Sequence, residues 1–257
     1  MAIEGGSLEG PGKSGAILDA FTRHVAENGY HGTSFSAVAA ELEISQGLIS
    51  HHYGTKERLL ATLHASYMQR RVHEEKRIVS ELGTPSERLA GLLYAFILYQ
   101  VIDRYRTVAF QREVAKFAEE SEDSEGRKLR AEYVGIVHEV LEAGIASGEF
   151  RAVDTNIRTQ LIFGAAHWAW TWFNPDGHNS AEEVGAELVD LVLGSLLVSR
   201  RQLARLTDAG GAIVSTVLDI ITDTDAAPVM RANQSKPRQG LDGPSSAAKK
   251  RPGKGGR

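Results

Sequence analysis

The stretch from residue 34 to residue 60 constrains the fold of this chain more than any other part of the sequence. In its first segment, apolar side chains recur at positions i, i+3, i+4 and i+7, namely Phe35, Val38, Ala39 and Leu42. This spacing is that of one buried face of a helix. Ser34 stands directly before the segment, where a serine side chain caps a helix N-terminus. The pattern therefore predicts a short amphipathic helix.

A second short segment follows after a turn that has room only for Glu43 and Ile44. Ser45 caps this segment, and Leu48 and Ile49 face inward. Its remaining side chains are small or polar and lie outside: Gln46, Gly47, Ser50 and His51. A short helix with this outer face, held at both ends, suits the major groove of DNA. An ordinary helical hairpin is the alternative.

These residues resemble the DNA-binding domain of the TetR family. The resemblance rests on Val38-Ala39, on residues 44–47 at the turn, on residues 49–53, and on Thr55-Lys56-Glu57 followed by Leu59-Leu60. Two residues depart from the family pattern. Glu43 takes a turn position where the family usually has glycine, and Ser50 stands where a tyrosine commonly contacts the DNA backbone. The apolar spacing is intact, so the expected fold is unchanged.

The motif also suggests a division of labour among its polar residues. Four of them would face the bases, and these are Gln46, Gly47, Ser50 and His51. Four others would set the register on the phosphates, and these are Ser34, Ser45, Tyr53 and Lys56.

Composition limits the remaining possibilities. The chain has 257 residues and no cysteine, which excludes disulfides and thiolate metal sites. The formal net charge is −4, but residues 231–257 carry eight Lys or Arg against Asp242, which leaves −11 for the rest. The sequence shows neither an apolar leader nor a membrane-spanning run. We therefore expect a cytoplasmic protein that makes no membrane contact.

Helical periodicity runs through the chain, so the expected fold class is all-α. Residues 1–13 are expected to form a disordered tail, and residues 14–62 a three-helix, helix-turn-helix DNA-binding domain. Residues 63–222 would form a helical domain for ligand binding and dimerisation. Residues 223–257, rich in Pro, Gly, Ser and Lys, would form a disordered basic tail.

Two apolar helices near the end of the helical domain suggest self-association. Predicted helix 8 is capped by Asp154 and Thr155 and carries all three tryptophans. Predicted helix 9 starts at a capping box of Ser180 and Glu183. Together they expose more apolar surface than one monomer can cover, which predicts a homodimer through helices 8 and 9. The resemblance implies the same dimer, with two recognition helices about one DNA turn apart.

A second resemblance concerns the expected ligand. Residues 108–113 and the stretch that follows Gly148 look like a branch of the TetR family whose members sense acyl-CoA thioesters or related lipid and sterol metabolites. A small apolar ligand, with an acyl-CoA as one candidate, would lie among predicted helices 5 to 8. The candidate ligand-binding residues are Phe96, Tyr99, Phe110, Glu113, Trp168 and Trp172.

The sequence shows no catalytic, cofactor-binding or metal-binding motif, so neither an enzyme nor a cofactor is expected. The main prediction is a homodimeric repressor that binds operator DNA and releases it when a small apolar ligand binds. The alternative is a DNA-binding dimer without a small-molecule ligand, either constitutive or controlled by a protein partner. An enzyme with an appended DNA-binding head is the third and least supported interpretation.

Overall fold

The computed structural model describes residues 12–118 and 124–223. The predicted tails therefore fall almost entirely outside the described residues. Within them the chain is helical, which confirms the predicted all-α class. The helices are α1 (Gly12–Gly32), α2 (Phe35–Glu41), α3 (Gln46–Tyr53), α4 (Lys56–Glu81), α5 (Pro85–Ile102), α6 (Arg104–Ala118), α7 (Glu125–Ala146), α8 (Thr155–His167), α9 (Ala181–Leu196), α10 (Leu203–Leu206) and α11 (Ala212–Thr222). No helix in these ranges combines the length and the apolarity that a membrane span needs.

Side-chain caps start the helices where the sequence predicts them. The hydroxyls of Ser34 and Ser45 each accept a hydrogen bond, at 3.2 Å, from a backbone N–H in the first turn of α2 and α3. Thr55 caps α4 in the same way. Ser180 and Glu183 form the predicted capping box at α9. These caps satisfy N–H groups that would otherwise lack a partner at each helix start.

Helix α5 forms the centre of the C-terminal part of the chain. Each residue from Leu89 to Gln100 is buried, as expected for a helix that is apolar nearly all round. Helices α7, α9 and α11 pack around it. At the closest point, Gly185 of α9 lies against the ring of Tyr94 of α5.

Helix α4 joins the N-terminal three helices to this bundle. It runs without interruption from Lys56 to Glu81, so the predicted boundary between residues 62 and 63 falls inside it. Its first half buries Leu59 and Leu63 against α1 and α3, and its second half lies against α7 and α11. One rigid helix therefore belongs to both parts.

Helix α11 lies beyond the predicted helical pair and completes the bundle. It buries five apolar side chains on α4 and α5, namely Ile213, Val214, Val217, Ile220 and Ile221. Arg70 of α4 donates to the carbonyl of Ile221 at 3.0 Å, and Arg77 pairs with Asp223 at 2.9 Å. The end of α11 is thus fixed to the second half of α4.

The end of one helix differs from the prediction. Helix α8 ends at His167, and the chain tightens into a 3-10 turn over Trp168–Thr171 before Asn174-Pro175. The tryptophans therefore follow α8 and are not part of it.

Candidate nucleic-acid interface and ligand region

The outer face of α3 consists of four exposed residues, Gln46, Gly47, Ser50 and His51. The opposite face is anchored by Ile49, whose side chain is fully buried in the core, and α3 packs on α2 and α4. Because α3 is only eight residues long, this anchoring and the Ser45 cap fix its orientation. The structure therefore presents the four predicted base-reading residues on one accessible helix face.

The predicted phosphate contacts lie on either side of this face. Ser34 and Ser45 are exposed at the starts of α2 and α3. The ammonium of Lys56 stands 4.2 Å above the ring of Tyr30, whose hydroxyl donates to Glu57 at 2.9 Å. Burial and this hydrogen bond raise the pKa of Tyr30 to about 12. The ring thus holds the charge of Lys56 close to α3.

The expectation for Tyr53 has to be revised. Its side chain is 8% exposed, and its hydroxyl donates to the backbone carbonyl of Ser14 at 2.7 Å. The same hydroxyl lies 2.8 Å from the Ser14 hydroxyl. Tyr53 therefore ties the end of α3 to the start of α1, and its polar atom is already engaged inside the head.

The turn between α2 and α3 contains the departure noted at Glu43. This residue has φ 54°, the left-handed conformation that glycine adopts without steric strain. The turn has the same shape that a glycine would give it, so Glu43 preserves the motif at an energetic cost.

Aromatic rings gather between α5, α7 and α8. Phe96, Tyr133, Phe163 and His167 form what we term the aromatic cluster. The ring centroids of Phe96 and Phe163 lie 5.3 Å apart, and Tyr133 stacks on His167 at 6.4 Å. Burial lowers the pKa of His167 to about 4, so its ring is neutral at pH 7. The cluster is a neutral aromatic surface inside the bundle.

Two further predicted ligand residues lie nearer α4. Tyr99 is buried beneath the guanidinium of Arg71, which stands 3.7 Å from its ring centroid. Phe110 is buried and stacks on Tyr67 with centroids 4.7 Å apart. Phe96, Tyr99 and Phe110 are thus interior residues, as the ligand prediction requires.

We call helices α1 to α3 the head and the helices that follow them the bundle. Glu113, the fourth predicted ligand residue, lies where the head meets the bundle. Its carboxylate accepts a hydrogen bond from the backbone N–H of Tyr30 at 2.8 Å. The neighbouring Arg112 donates to the carbonyl of Ala26 at 2.7 Å. Side chains of α6 therefore hold the C-terminal end of α1.

A chain of ion pairs also connects the interior to the head. Arg71 lies 3.4 Å from the carboxylate of Glu74 and 2.8 Å from that of Asp103. Asp103 in turn lies 3.4 Å from Arg106, which pairs with Asp19 of α1 at 2.6 Å. We call these five residues the ionic chain.

Two family models match the sequence across this structure. Residues 17–63 match the model described as bacterial regulatory proteins, tetR family, and residues 82–196 match a tetracyclin repressor-like C-terminal domain. The chain belongs to the TetR family. This confirms the resemblance that the motif around α3 carries, and it extends the family assignment over α5 to α9.

Several TetR-family regulators are similar over most of their length. The HTH-type transcriptional repressor KstR2 of Mycobacterium tuberculosis is 26% identical over 189 residues, which is 72% of this chain and 92% of KstR2. FadR from Bacillus subtilis, solved in complex with stearoyl-CoA, has a TM-score of 0.61 at 26% identity and covers 71% of this chain and 99% of its own. AibR, solved with isovaleryl coenzyme A and operator DNA, shares the fold, with a TM-score of 0.61 at 24% identity over 70% of this chain and 97% of AibR.

The placement of Trp168 and Trp172 differs from the prediction for this TetR-family chain. Their side chains are 65% and 59% exposed, so they do not line the interior. Ile157 and Leu161, four residues apart on one face of α8, are also exposed, at 60% and 63%. These four side chains, two on α8 and two at the 3-10 turn that follows it, leave a large apolar area uncovered in the described residues.

The site residues predicted from the sequence do not include the buried ionic residues of α4. Arg71, Glu74 and Glu75 are buried, each with at most 3% exposure. A signal was present, because these positions continue the helical spacing of the buried residues Tyr67 and Ile78. Charge at a position that the period assigns to the core marks a candidate functional residue.

Proposed function

We propose that this TetR-family chain is a homodimeric transcriptional repressor that a small ligand releases from operator DNA. The outer face of α3 is the observation that carries the proposal. Four residues, three with polar side chains and one glycine that permits close approach, lie together on a short helix that packing and a cap hold in place. This arrangement, inside a helix-turn-helix of the TetR family, fits the major groove.

The outer face of α3 would recognise bases through hydrogen bonds and close apolar contacts. Gln46 can pair with adenine in the bidentate manner, and Gly47 allows close approach to a thymine methyl group or to the backbone. Ser50 and His51 would complete the base contacts. Ser34, Ser45 and Lys56 would then fix the register on phosphates.

The dimer would form through the outer faces of α8 and α9. Ile157 and Leu161 are exposed on α8, Trp168 and Trp172 are exposed at the turn that follows it, and Leu191 of α9 is 67% exposed. Large apolar side chains in this number on one face favour burial against a second copy. Packing two pairs of helices would place two α3 helices on successive major grooves of the same DNA face.

The ligand would occupy the interior beside the aromatic cluster. KstR2 is a repressor by name, and the FadR and AibR structures contain acyl-CoA thioesters, which supports a thioester ligand for this chain too. Movement of α4 and of the α6 side chains that hold α1 would then misplace the two heads. The ligand shifts the equilibrium only through its different affinity for the two arrangements.

The first experiment is a titration of the purified protein onto DNA from its own upstream region at fixed salt, with and without a panel of acyl-CoA thioesters. Two-fold-symmetric binding that one thioester abolishes would support the whole proposal. Binding that no thioester changes would leave a repressor without this ligand class. Absence of specific binding would refute the repressor itself.

Variants test the DNA-binding face and the dimer surface separately. Gln46→Ala should weaken specific binding by roughly 10- to 100-fold, since a bidentate base contact contributes about 1–3 kcal/mol. Lys128→Ala, on the exposed part of α7, is the matched control and should change nothing. Leu161→Glu should give monomers in sedimentation velocity, whereas Asn156→Glu, exposed on another face of α8, should leave the dimer intact.

A further inference from the structure

Glu75 is a buried acidic residue of α4 whose carboxyl oxygens lack hydrogen-bond partners among the described residues. It is fully buried on α4, four residues after the equally buried Arg71, so both side chains emerge from the same helix face. Neither carboxyl oxygen of Glu75 has a hydrogen-bond partner among the described residues, and the same holds for Nη1 of Arg71. Buried polar atoms are nearly always paired in native proteins, so these atoms mark a place where a polar group can bind.

The surroundings of Glu75 favour its neutral form. Burial raises the pKa of the Glu75 carboxyl well above its ordinary value, and the charge of Arg71 only partly offsets this effect. A protonated carboxyl offers one donor and one acceptor. Arg71 adds a donor fixed in position, because its other contacts to Asp103 and to the face of Tyr99 hold the guanidinium in place.

Tyr133 joins this polar pair to the aromatic cluster. Its ring lies 5.8 Å from that of Phe96 and 5.3 Å from that of Phe163. Burial raises the pKa of Tyr133, and an ionised Glu75 would raise it further, so the two groups lie within electrostatic range of each other. Helix α7, which carries Tyr133, packs directly on α4. The interior therefore offers a neutral aromatic surface with a donor–acceptor pair at its α4 end.

We infer that Glu75 and Arg71 bind an oxygen atom carried on the hydrocarbon part of the ligand, so that the effector is an oxygenated acyl thioester, bearing a hydroxyl or a ketone, and not an unsubstituted fatty acyl chain. This inference rests on the proposed function. A hydroxyl can accept from Arg71 and donate to Glu75, and a ketone can accept from both. A saturated chain would leave the polar atoms buried without partners, and sites of this kind discriminate strongly against an analogue that lacks the oxygen.

Isothermal titration calorimetry on the full-length chain tests the inference directly. The probes are matched pairs, such as dodecanoyl-CoA against its ω-hydroxy and oxo counterparts, repeated with octanoyl and hexadecanoyl chains. At least one oxygenated member should bind about tenfold more tightly than its unsubstituted partner. Equal or tighter binding of the plain chain in each pair would overturn the inference, and so would failure of all the thioesters to bind.

Variants test whether Glu75 and Arg71 cause the preference for oxygenated over unsubstituted thioesters. Glu75→Leu should bring the ratio within a matched pair close to one, while Glu75→Gln, which keeps a donor and an acceptor, should retain much of it. Glu81→Gln, exposed at the end of the same helix, is the control. Should Glu75→Leu fail to fold, Arg71→Met takes its place as the variant expected to lose selectivity. An unchanged ratio in the folded variants would contradict the assignment.

Calorimetry reads thioester binding without DNA, so the two proposals can fail separately. Selective binding of an oxygenated thioester by a protein that ignores its upstream DNA would support the inference and refute the repressor. Release of DNA by unsubstituted acyl-CoA thioesters alone would support the repressor and refute the inference about an oxygenated ligand.

Discussion

Glu43 shows how one residue can keep a motif while straining it. Its φ of 54° is the conformation that the turn between α2 and α3 requires. In this conformation the β-carbon of a residue other than glycine is repelled by a backbone carbonyl oxygen. The sequence alone indicated the position, because the family usually has glycine there. The strain itself became visible only in the backbone of the turn.

Replacing this residue should therefore stabilise the head. We expect Glu43→Gly to raise the free energy of unfolding by about 1 kcal/mol, since it removes the left-handed strain. Ala40→Gly, in the regular part of α2, should lower it by about 1 kcal/mol. Urea unfolding monitored by circular dichroism measures both, and a loss of stability in Glu43→Gly would contradict the strain.

His167 should give the protein a defined sensitivity to acid. Its pKa is about 4 in the folded chain, below the usual value of 6.5. As the pH falls below 6.5, the unfolded chain takes up a proton that the folded chain refuses, so stability drops until the pH approaches 4. The loss should reach about 2 kcal/mol, a figure reduced because water reaches part of the ring.

The variant His167→Phe isolates this contribution. It keeps an aromatic ring in the cluster but cannot titrate, so its stability should decline less than that of the parent between pH 6.5 and pH 4.5. Carboxylates titrate alike in both proteins and cancel in the difference. Parallel stability curves over this window would show that the imidazole is free to protonate in the folded chain.

At the level of helices, the sequence predicted most of what local physics controls. The caps at Ser34, Ser45 and Ser180 and the burial of α5 follow from side-chain type and spacing, and the structure confirms them. The positions of Tyr53 and Trp168 did not follow, because an apolar ring reads the same whether it faces a core, a cavity or a second copy. Such residues are assigned by tertiary packing, which one sequence does not contain.

The close approach of α5 and α9 gives a test at this scale. A β-carbon on Gly185 would lie 2.5 Å from the ring of the buried Tyr94, so Gly185→Ala should force the helices apart and lose about 1–3 kcal/mol of stability. Gly135→Ala in α7 is the control, because among the described residues no atom outside its own helix neighbourhood lies within 4 Å of the added carbon. That variant should gain up to about 1 kcal/mol. Urea midpoints compare the two directly.

For the whole molecule, the ionic chain offers a route from the interior to the head. It begins at the buried pair of Arg71 and Glu74 and ends at Asp19 of α1, whose side chain is 48% exposed. Exposed pairs contribute little to stability, so its outer end is better suited to transmitting a change of position than to holding the fold. It crosses the same junction that Arg112 and Glu113 bridge.

Removing the ion pair between Arg106 and Asp19 should weaken the release of DNA by the effector and leave the affinity for DNA unchanged. We expect Asp19→Asn to bind operator DNA within about twofold of the parent and to need roughly 2- to 30-fold more effector for release, the range of a coupling energy of about 0.5–2 kcal/mol. Glu27→Gln, exposed on the same helix, should respond normally. Normal release from Asp19→Asn in a DNA-binding titration would exclude the ionic chain as a route.

The position of α11 sets the order in which this chain can be completed during synthesis. Its apolar side chains cover α4 and α5, yet about 120 residues separate the end of α5 from the end of α11. At about 5–20 residues per second, a ribosome needs roughly 6–24 seconds to make them. During that interval the apolar surface of α4 and α5 that α11 later covers stays exposed in the nascent chain. A chaperone can bind this surface. A chain that stops before Gly211 would never cover it, so such a fragment should aggregate as it leaves the ribosome.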